Sequence, residues 1–381
     1  MIAPGRFQPP SRQSIVYGQS VEDALPQAMK DFWASRAVLV TNTSLAGEGG
    51  LAAGIAKILG DGLMTVVAGV RANSPREDVM RITEALRSKG VDAVVAIGGG
   101  SVVEAVKAAR ICLTNNVRNA ADVDRLKTVS TAASPRPYLI AIPTTLSGAE
   151  YTQFAGVTDE RTGAKDAFHH QDLAPDAVIL DAAMTLATPA PLWAATGRRA
   201  LDHAIETWCA RDPMPYSDAT SLYAFRVLAR WLPVTGAEPD NRDARLSCQV
   251  ASWMAIQGAT IGVSHGASHG VGHALSAVTG MSHGVTSAIM LPHVLRYNLP
   301  ESRERQDILT QAIGRPREAL ADIVAAMVAD LGLPLRLRDA GVTSAQLPSI
   351  AKAALANPRV KANIRPIESE AAMVAILEAA F

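Results

Sequence analysis

The chain has 381 residues, 48% of them apolar, and its 36 Lys and Arg equal its 36 Asp and Glu. That length supports two domains with separate cores, and zero net charge exerts no general pull on nucleic acid or an anionic membrane. No apolar signal core follows Met1, no apolar run approaches the roughly 20 residues that span a bilayer, and Cys112, Cys209 and Cys248 are odd in number and far apart. These features predict a cytoplasmic globular protein with neither a disulfide framework nor a cysteine metal site.

Apolar runs rich in Val, Ile and Leu recur at 36–42, 63–70, 92–100, 138–145 and 176–181. Continuous runs of this kind suit strands covered on both faces. Helical periodicity fills the intervals, as in EDVMRITEALRSKG and VVEAVKAARICL. Ser74-Pro75-Arg76-Glu77 predicts the start of the first of these, with Ser74 as N-cap, Pro75 at the first helical position and Glu77 three residues after the cap. Strands alternating with helices predict a parallel α/β sheet. The segment 159–172, DERTGAKDAFHHQD, reads as a solvated loop or a lid, in which Lys165, His169 and His170 are available to an anionic substrate. AAMTLATPAP reads as a linker, and every later pattern is helical up to Phe381. The expected organisation is an α/β domain with a dinucleotide-binding parallel sheet over 1–185 and an all-α domain over 186–381.

Gly98-Gly99-Gly100-Ser101 ends the third apolar run and opens a helix. Glycines there let the backbone turn sharply and approach a bulky anion, and the helix N-terminus favours a pyrophosphate. The spacing is not the GxGxxG fingerprint, so a standard Rossmann assignment does not apply. Asn42, at the end of the first run, would face an adenosine ribose. Being uncharged it tolerates a 2′-phosphate, which leaves NAD and NADP both open, and it reads equally well as a strand-end turn residue. Thr144 and Thr145 end another run, where hydroxyls either touch phosphate and nicotinamide or cap the turn.

Six of the eight histidines lie in the helical half, five of them between 265 and 293. His269 and His273 are four residues apart and share a helix face, and His283 follows a turn at Gly280. Imidazoles at this spacing, with His203 on the helix TGRRALDHAIE, suit a divalent transition metal. The acid such a site needs is absent one turn before His203, where Arg199 stands. Asp202 points about 100° away from His203 around the helix and pairs more naturally with Arg199 or Arg198.

The segments GGGSVVEAVK (98–107), PTTLSGAEYT (143–152), TGRRALDHAIE (196–206), HGVGHALSAVTGMSHG (269–284), LPHVLRYN (291–298), NPR (357–359) and NIRPI (363–367) resemble the iron-containing (group III) alcohol dehydrogenases nearly end to end. PTTLSGAE, one residue shorter than the usual form, resembles the maleylacetate reductase branch. The resemblance implies a dehydroquinate synthase-like fold with the coenzyme, NAD or NADP, in a cleft, and a homodimer. It implies that Gly98, Gly99, Gly100 and Ser101 hold the pyrophosphate, that Asn42 lies near the adenosine ribose, and that Thr144 and Thr145 lie near phosphate and nicotinamide. His203, His269 and His283 match three ligands of an Fe or Zn ion, with Asp202 a substitute fourth ligand, and His273 matches a histidine beside the nicotinamide and substrate. Two residues depart from the pattern: Glu104 replaces an Asp, and Arg199 replaces the acidic metal ligand. A guanidinium beside three imidazoles repels a dication by several kcal/mol at intermediate dielectric, roughly. The expected activity is hydride transfer from NAD(P)H to a small carbonyl, enone or oxo-acid, with Arg199 and His203 stabilising the oxyanion and His269, His273 or His283 delivering the proton. The alternatives are a metal-dependent alcohol dehydrogenase, a dehydroquinate synthase-like lyase, and a binding protein without chemistry.

Overall fold

The computed structural model describes residues 13–127, 136–170 and 172–381. One compact unit ends at Thr188 and a second begins at Pro189. In chain order the first contains β1 (Ser14–Tyr17), α1 (Val21–Asp31), β2 (Ala37–Thr41), α2 (Leu51–Leu59), β3 (Leu63–Val67), α3 (Arg76–Leu86), β4 (Ala93–Gly98), α4 (Gly100–Thr114), β5 (Tyr138–Pro143), β6 (Phe154–Thr158), β7 (Lys165–His169), β8 (Ala177–Leu180) and α5 (Ala182–Thr185). Six strands form one parallel sheet in the order β1-β8-β5-β4-β2-β3, and β6 and β7 form a separate antiparallel hairpin.

The central strands β2, β4 and β5 are apolar along most of their length because both faces of the sheet are covered. Val38, Val40, Val94, Ala96 and Leu139 pack with Val79 and Ile82 of α3 and Val102 and Val106 of α4. Their neighbours Leu39, Val95, Ile97, Ile140 and Ile142 pack on the opposite face with Leu25 and Ala28 of α1 and Ile55 of α2. The period-2 alternation of a strand thus sorts one continuous apolar run into two cores. The connection from β3 to β4 crosses β2, whereas β5 lies on the far side of β4. Strand order therefore reverses between β2 and β4, and in open α/β sheets ligands bind outside the strand C-termini at such a reversal.

Three local expectations change. β1, at the sheet edge, was not predicted, because four residues at an edge carry too little apolar signal. The segment 159–172 contains an exposed turn and then β7, the second strand of the β6–β7 hairpin, where a loop or lid was expected. Lys165 is committed to Glu104, Nζ to Oε2 at 3.3 Å, and His169 packs on Phe154. Glu104 also accepts from Gly156 N at 2.8 Å, so the Glu in place of the family's Asp ties α4 to the hairpin. Ser74 does not cap α3; Pro75 holds the N-cap position and the Ser74 hydroxyl donates to Ser101 O at 2.8 Å. Glu160, from the hairpin turn, caps the helix by accepting from Arg76 N at 3.0 Å and Glu77 N at 3.2 Å.

Lys107 of α4 is fully buried, and its Nζ donates to Ala149 O and Thr152 O, both at 2.6 Å, and to Phe154 O at 2.8 Å. Burial pushes this amine down to about 7, opposed by the Glu104 and Glu150 carboxylates. Three carbonyl acceptors match the three protons of an ammonium, which favours the charged form against that burial.

The second unit contains α6 (Ala190–Trp208), α7 (Pro215–Ala237), α8 (Arg242–Thr260), α9 (Ala267–Thr279), α10 (His283–Ala312), α11 (Leu320–Asp330), α12 (Leu347–Ala356), α13 (Pro358–Lys361) and α14 (Glu370–Ala379), with no strand among its described residues. Helix α6 is buried on most of its faces and packs against α7, α8 and α10. Gly280 ends α9 in the left-handed region at φ 73°, and α10 begins at His283. Among the described residues no helix is long and apolar enough to cross a membrane.

Lys107→Met removes the shared ammonium donor from the carbonyls of Ala149, Thr152 and Phe154, leaving only the longer contacts from Thr152 to the first and last. It is expected to lower the unfolding free energy by about 3 kcal/mol or more. Denaturant titration followed by circular dichroism checks this, and an unchanged midpoint refutes the staple.

Candidate functional site

In the α/β unit the predicted coenzyme residues meet at one sheet edge. Pairing sets Thr41 beside Ile97, and Gly98 beside Pro143, so Asn42, Gly98 to Ser101, and Thr144 with Thr145 follow the C-terminal ends of adjacent strands β2, β4 and β5. Gly98 has φ 151°, and a Cβ there would stand 2.7 Å from Val102 Cγ2. A Cβ on Gly100 would stand 2.8 Å from Ser147 Oγ. These glycines therefore permit both the turn and the close packing of the loop after β5. Ser101 Oγ accepts from Asn73 N at 3.0 Å and retains its own proton to donate. Thr41 Oγ1, Asn42 Oδ1, Thr145 Oγ1 and Ser147 Oγ are buried without a hydrogen-bond partner. Buried polar atoms are normally satisfied, so four such atoms at one sheet edge mark a polar ligand site. Donors and acceptors on a glycine turn that opens a 15-residue helix fit a dinucleotide pyrophosphate and its sugar.

In the helical unit, α6 presents Arg199, Asp202, His203 and Glu206 at helical spacing, and the α9 region presents His265, His269 and His273. The rings of His203, His265 and His269 are buried together, with centroids 5.2 Å apart for His203 and His265, 4.9 Å for His203 and His269, and 4.0 Å for His265 and His269. His273 and His283 form a second pair at 5.1 Å. His283 Nδ1 lies 3.2 Å from Ser276 Oγ, and His273 Nδ1 lies 3.0 Å from Arg359 Nη1. Arg199, its side chain 12% exposed, donates from Nη1 to Ser287 Oγ at 2.7 Å and lies 3.8 Å from Asp202 Oδ2. Glu206, His265, Ser287 and Arg359 were not singled out from the sequence. The available signals were the position of Glu206 one turn past Asp202 on the same helix face, and the arginine in NPR.

Electrostatics decide which of these groups carry charge. Burial pushes Arg199 down to about 10, opposed by Asp202, so it remains a cation near neutral pH. Burial, then the guanidiniums of Arg199 and Arg359, push His203, His265 and His269 well below the usual imidazole value. His273 is pushed down to about 2 by burial and then Arg359. Burial raises Asp202, against Arg199, and raises Glu206, helped by the Asp202 charge.

The donor set fits a divalent ion poorly. Asp202, Glu206 and His269 cluster closely enough to be considered as ligands. His269 Nδ1 is already 2.7 Å from Glu206 Oε2, however, and that carboxylate accepts three backbone N–H groups as well. The rings of His265 and His269 are stacked at an interplanar angle of 27°. A dication about 4 Å from a guanidinium is repelled by on the order of 8 kcal/mol at an effective dielectric near 20.

Neutral imidazoles at His203, His265, His269 and His273 are expected throughout the window from about pH 5.5 to 8. Carbon-13 histidine labelling reads this directly. A titration midpoint inside that window for any of the four contradicts the electrostatics above.

The profile described as iron-containing alcohol dehydrogenase matches residues 12–182, and that of the C-terminal region of the Fe-containing alcohol dehydrogenase family matches residues 193–381. The chain is 33% identical over 300 residues to a probable alcohol dehydrogenase EutG of Escherichia coli (strain K12), covering 77% of this chain and 74% of the relative. It is 30% identical over 365 residues to 1,3-propanediol dehydrogenase of Citrobacter freundii, covering 92% of each. The solved maleylacetate reductase of Rhizobium sp. strain MTP-10005 superposes with a TM-score of 0.82 at 26% identity, over 97% of this chain and 96% of that one. A six-stranded parallel α/β unit followed by a helical unit, carrying these motifs from end to end, belongs to the iron-containing alcohol dehydrogenase family of oxidoreductases.

Proposed function

We propose that this chain is an NAD(P)H-dependent reductase of a small carbonyl or enone compound bearing a carboxylate, and that it turns over without a resident metal. The observation that carries this reading is Arg199, a cation among the histidines where a metal-dependent site has an acid. The similarity to a maleylacetate reductase structure supports the same substrate chemistry.

Asn42, the turn Gly98 to Ser101, Thr144 and Thr145 hold the coenzyme, which supplies the hydride when bound. The uncharged Asn42 accepts either coenzyme. Arg199, oriented by Ser287, pairs with the substrate carboxylate or with the oxyanion that develops as the carbonyl carbon is reduced. Arg359 adds a second guanidinium beside His273. Burial, and then these two cations, keep the imidazoles neutral, and an anion lying against the cations offsets their share. An imidazole then becomes basic enough to carry the proton that ends on the product oxygen. His203 provides a neutral polar contact for the same oxygen.

The second reading, an alcohol dehydrogenase that holds Fe or Zn on His203, His269 and His283 with Asp202, is favoured by one observation. His203 Nδ1, His269 Nε2 and Asp202 Oδ1 are buried without a protein partner.

Fluorescence titration with NADH and NADPH, followed by coenzyme oxidation against aldehydes, ketones and oxo-acids with and without chelator, separates the two. Tight coenzyme binding, chelator-resistant turnover and preference for carboxylate substrates are expected. Stoichiometric metal whose removal abolishes turnover would overturn the metal-free reading. Arg199→Ala is expected to lower kcat/KM for an oxo-acid by on the order of a hundredfold or more while leaving coenzyme affinity unchanged.

A further inference from the structure

Helix α9 has no cap of its own: its N-cap is Gly266, and no local side chain bonds its first turn. The four N–H groups that a helix start leaves unpaired are instead taken by two residues from outside the helix. Glu206 of α6 accepts from Gly266 N at 3.0 Å, Ser268 N at 2.8 Å and His269 N at 3.2 Å. Asn363 Oδ1 accepts from Ala267 N at 3.0 Å. Any side chain at 266 would block both, since a Cβ there would stand 2.6 Å from Asn363 Oδ1 and 3.1 Å from Glu206 Oε1.

The same Glu206 Oε2 lies 2.7 Å from His269 Nδ1, with Asp202 Oδ2 3.3 Å from that nitrogen. Backbone N–H groups can only donate, so the oxygen that receives two of them is an acceptor toward the ring as well. Nδ1 therefore holds the proton, and the lone pair of His269 is on Nε2, a buried atom without a partner.

We propose that Glu206 is the positioning residue of the histidine site: it clamps the start of α9 to α6 and fixes His269 as the Nδ1–H tautomer, leaving Nε2 to accept a hydrogen bond from a hydroxyl-bearing ligand. A carboxylate that orients an imidazole in this way sets which nitrogen does the chemistry without touching the reacting atoms. The consequence for turnover rests on the reductase reading above. The tautomer does not, because the donors and acceptors around Glu206 and His269 set it without substrate.

Nitrogen-15 histidine labelling of the whole chain should show His269 protonated at Nδ1 and bare at Nε2. Glu206→Gln replaces one acceptor oxygen by an amide donor, and is expected to shift His269 toward the Nε2–H form. It should also lower kcat roughly tenfold or more, with coenzyme KM within about twofold of the parent. Asn363→Ala removes the other cap; it should lower the melting temperature and leave the tautomer as it was. The proposal fails if His269 of the unmodified chain carries its proton on Nε2, a result that needs no variant to fold. It also fails if Glu206→Gln keeps the parental tautomer, or if Asn363→Ala shifts the tautomer as far as Glu206→Gln does.

Discussion

A cation held among imidazoles governs the helical unit. Arg199 keeps its charge despite burial, with Asp202 at 3.8 Å as its counter-ion and Ser287 as its hydrogen-bond acceptor. That charge lowers the neighbouring histidines and weighs against a second cation entering the cluster. It also requires carboxylates nearby, and these are supplied by Asp202 and Glu206 from the same helix. Desolvation of the Glu206 carboxylate is offset by the N–H groups at the start of α9, and Asp202 accepts from the Ser268 hydroxyl, which ties the helix carrying His269 and His273 to the helix carrying Arg199.

The α/β unit answers a different demand, with backbone in place of charge. Neutral hydroxyls and an amide line the ends of β2, β4 and β5, and the glycine turn lets the chain bend there. Lys107 and Glu104 serve this edge indirectly. Lys107 gathers the carbonyls of 149, 152 and 154, and Glu104 holds Gly156 and Lys165, so the segment that follows Thr144 and Thr145 is fastened to the helix opened by the glycine turn. One helix thus carries a turn suited to phosphate at its start and structural anchors along its length.

Much of this was legible without coordinates. The five long apolar runs were recognisable as strands because a sheet covered on both faces demands apolar residues at every position. β1 and the β6–β7 hairpin were not, because one is a four-residue edge strand whose partner β8 lies far along the chain, and the other joins a short β6 to a largely exposed β7. Ser74 carried a persuasive cap pattern, yet Glu160, more than 80 residues away, took that function while Ser74 turned to Ser101. Short-range patterns state what a residue is able to bond, and long-range neighbours compete for the same bond.

By itself the sequence determined the α/β-then-α division, the glycine turn and the exchange of an acid for Arg199, because each is written in local spacing and residue type. Tertiary structure alone decided how the histidines associate, with His265 joining His203 and His269 while His283 sits beside His273. It alone brought Arg359 to His273 and Glu206 to the start of α9. The reason for the difference is physical: a turn bonds its own neighbours in sequence, whereas a buried charge bonds whichever donors the packing of separate helices places around it.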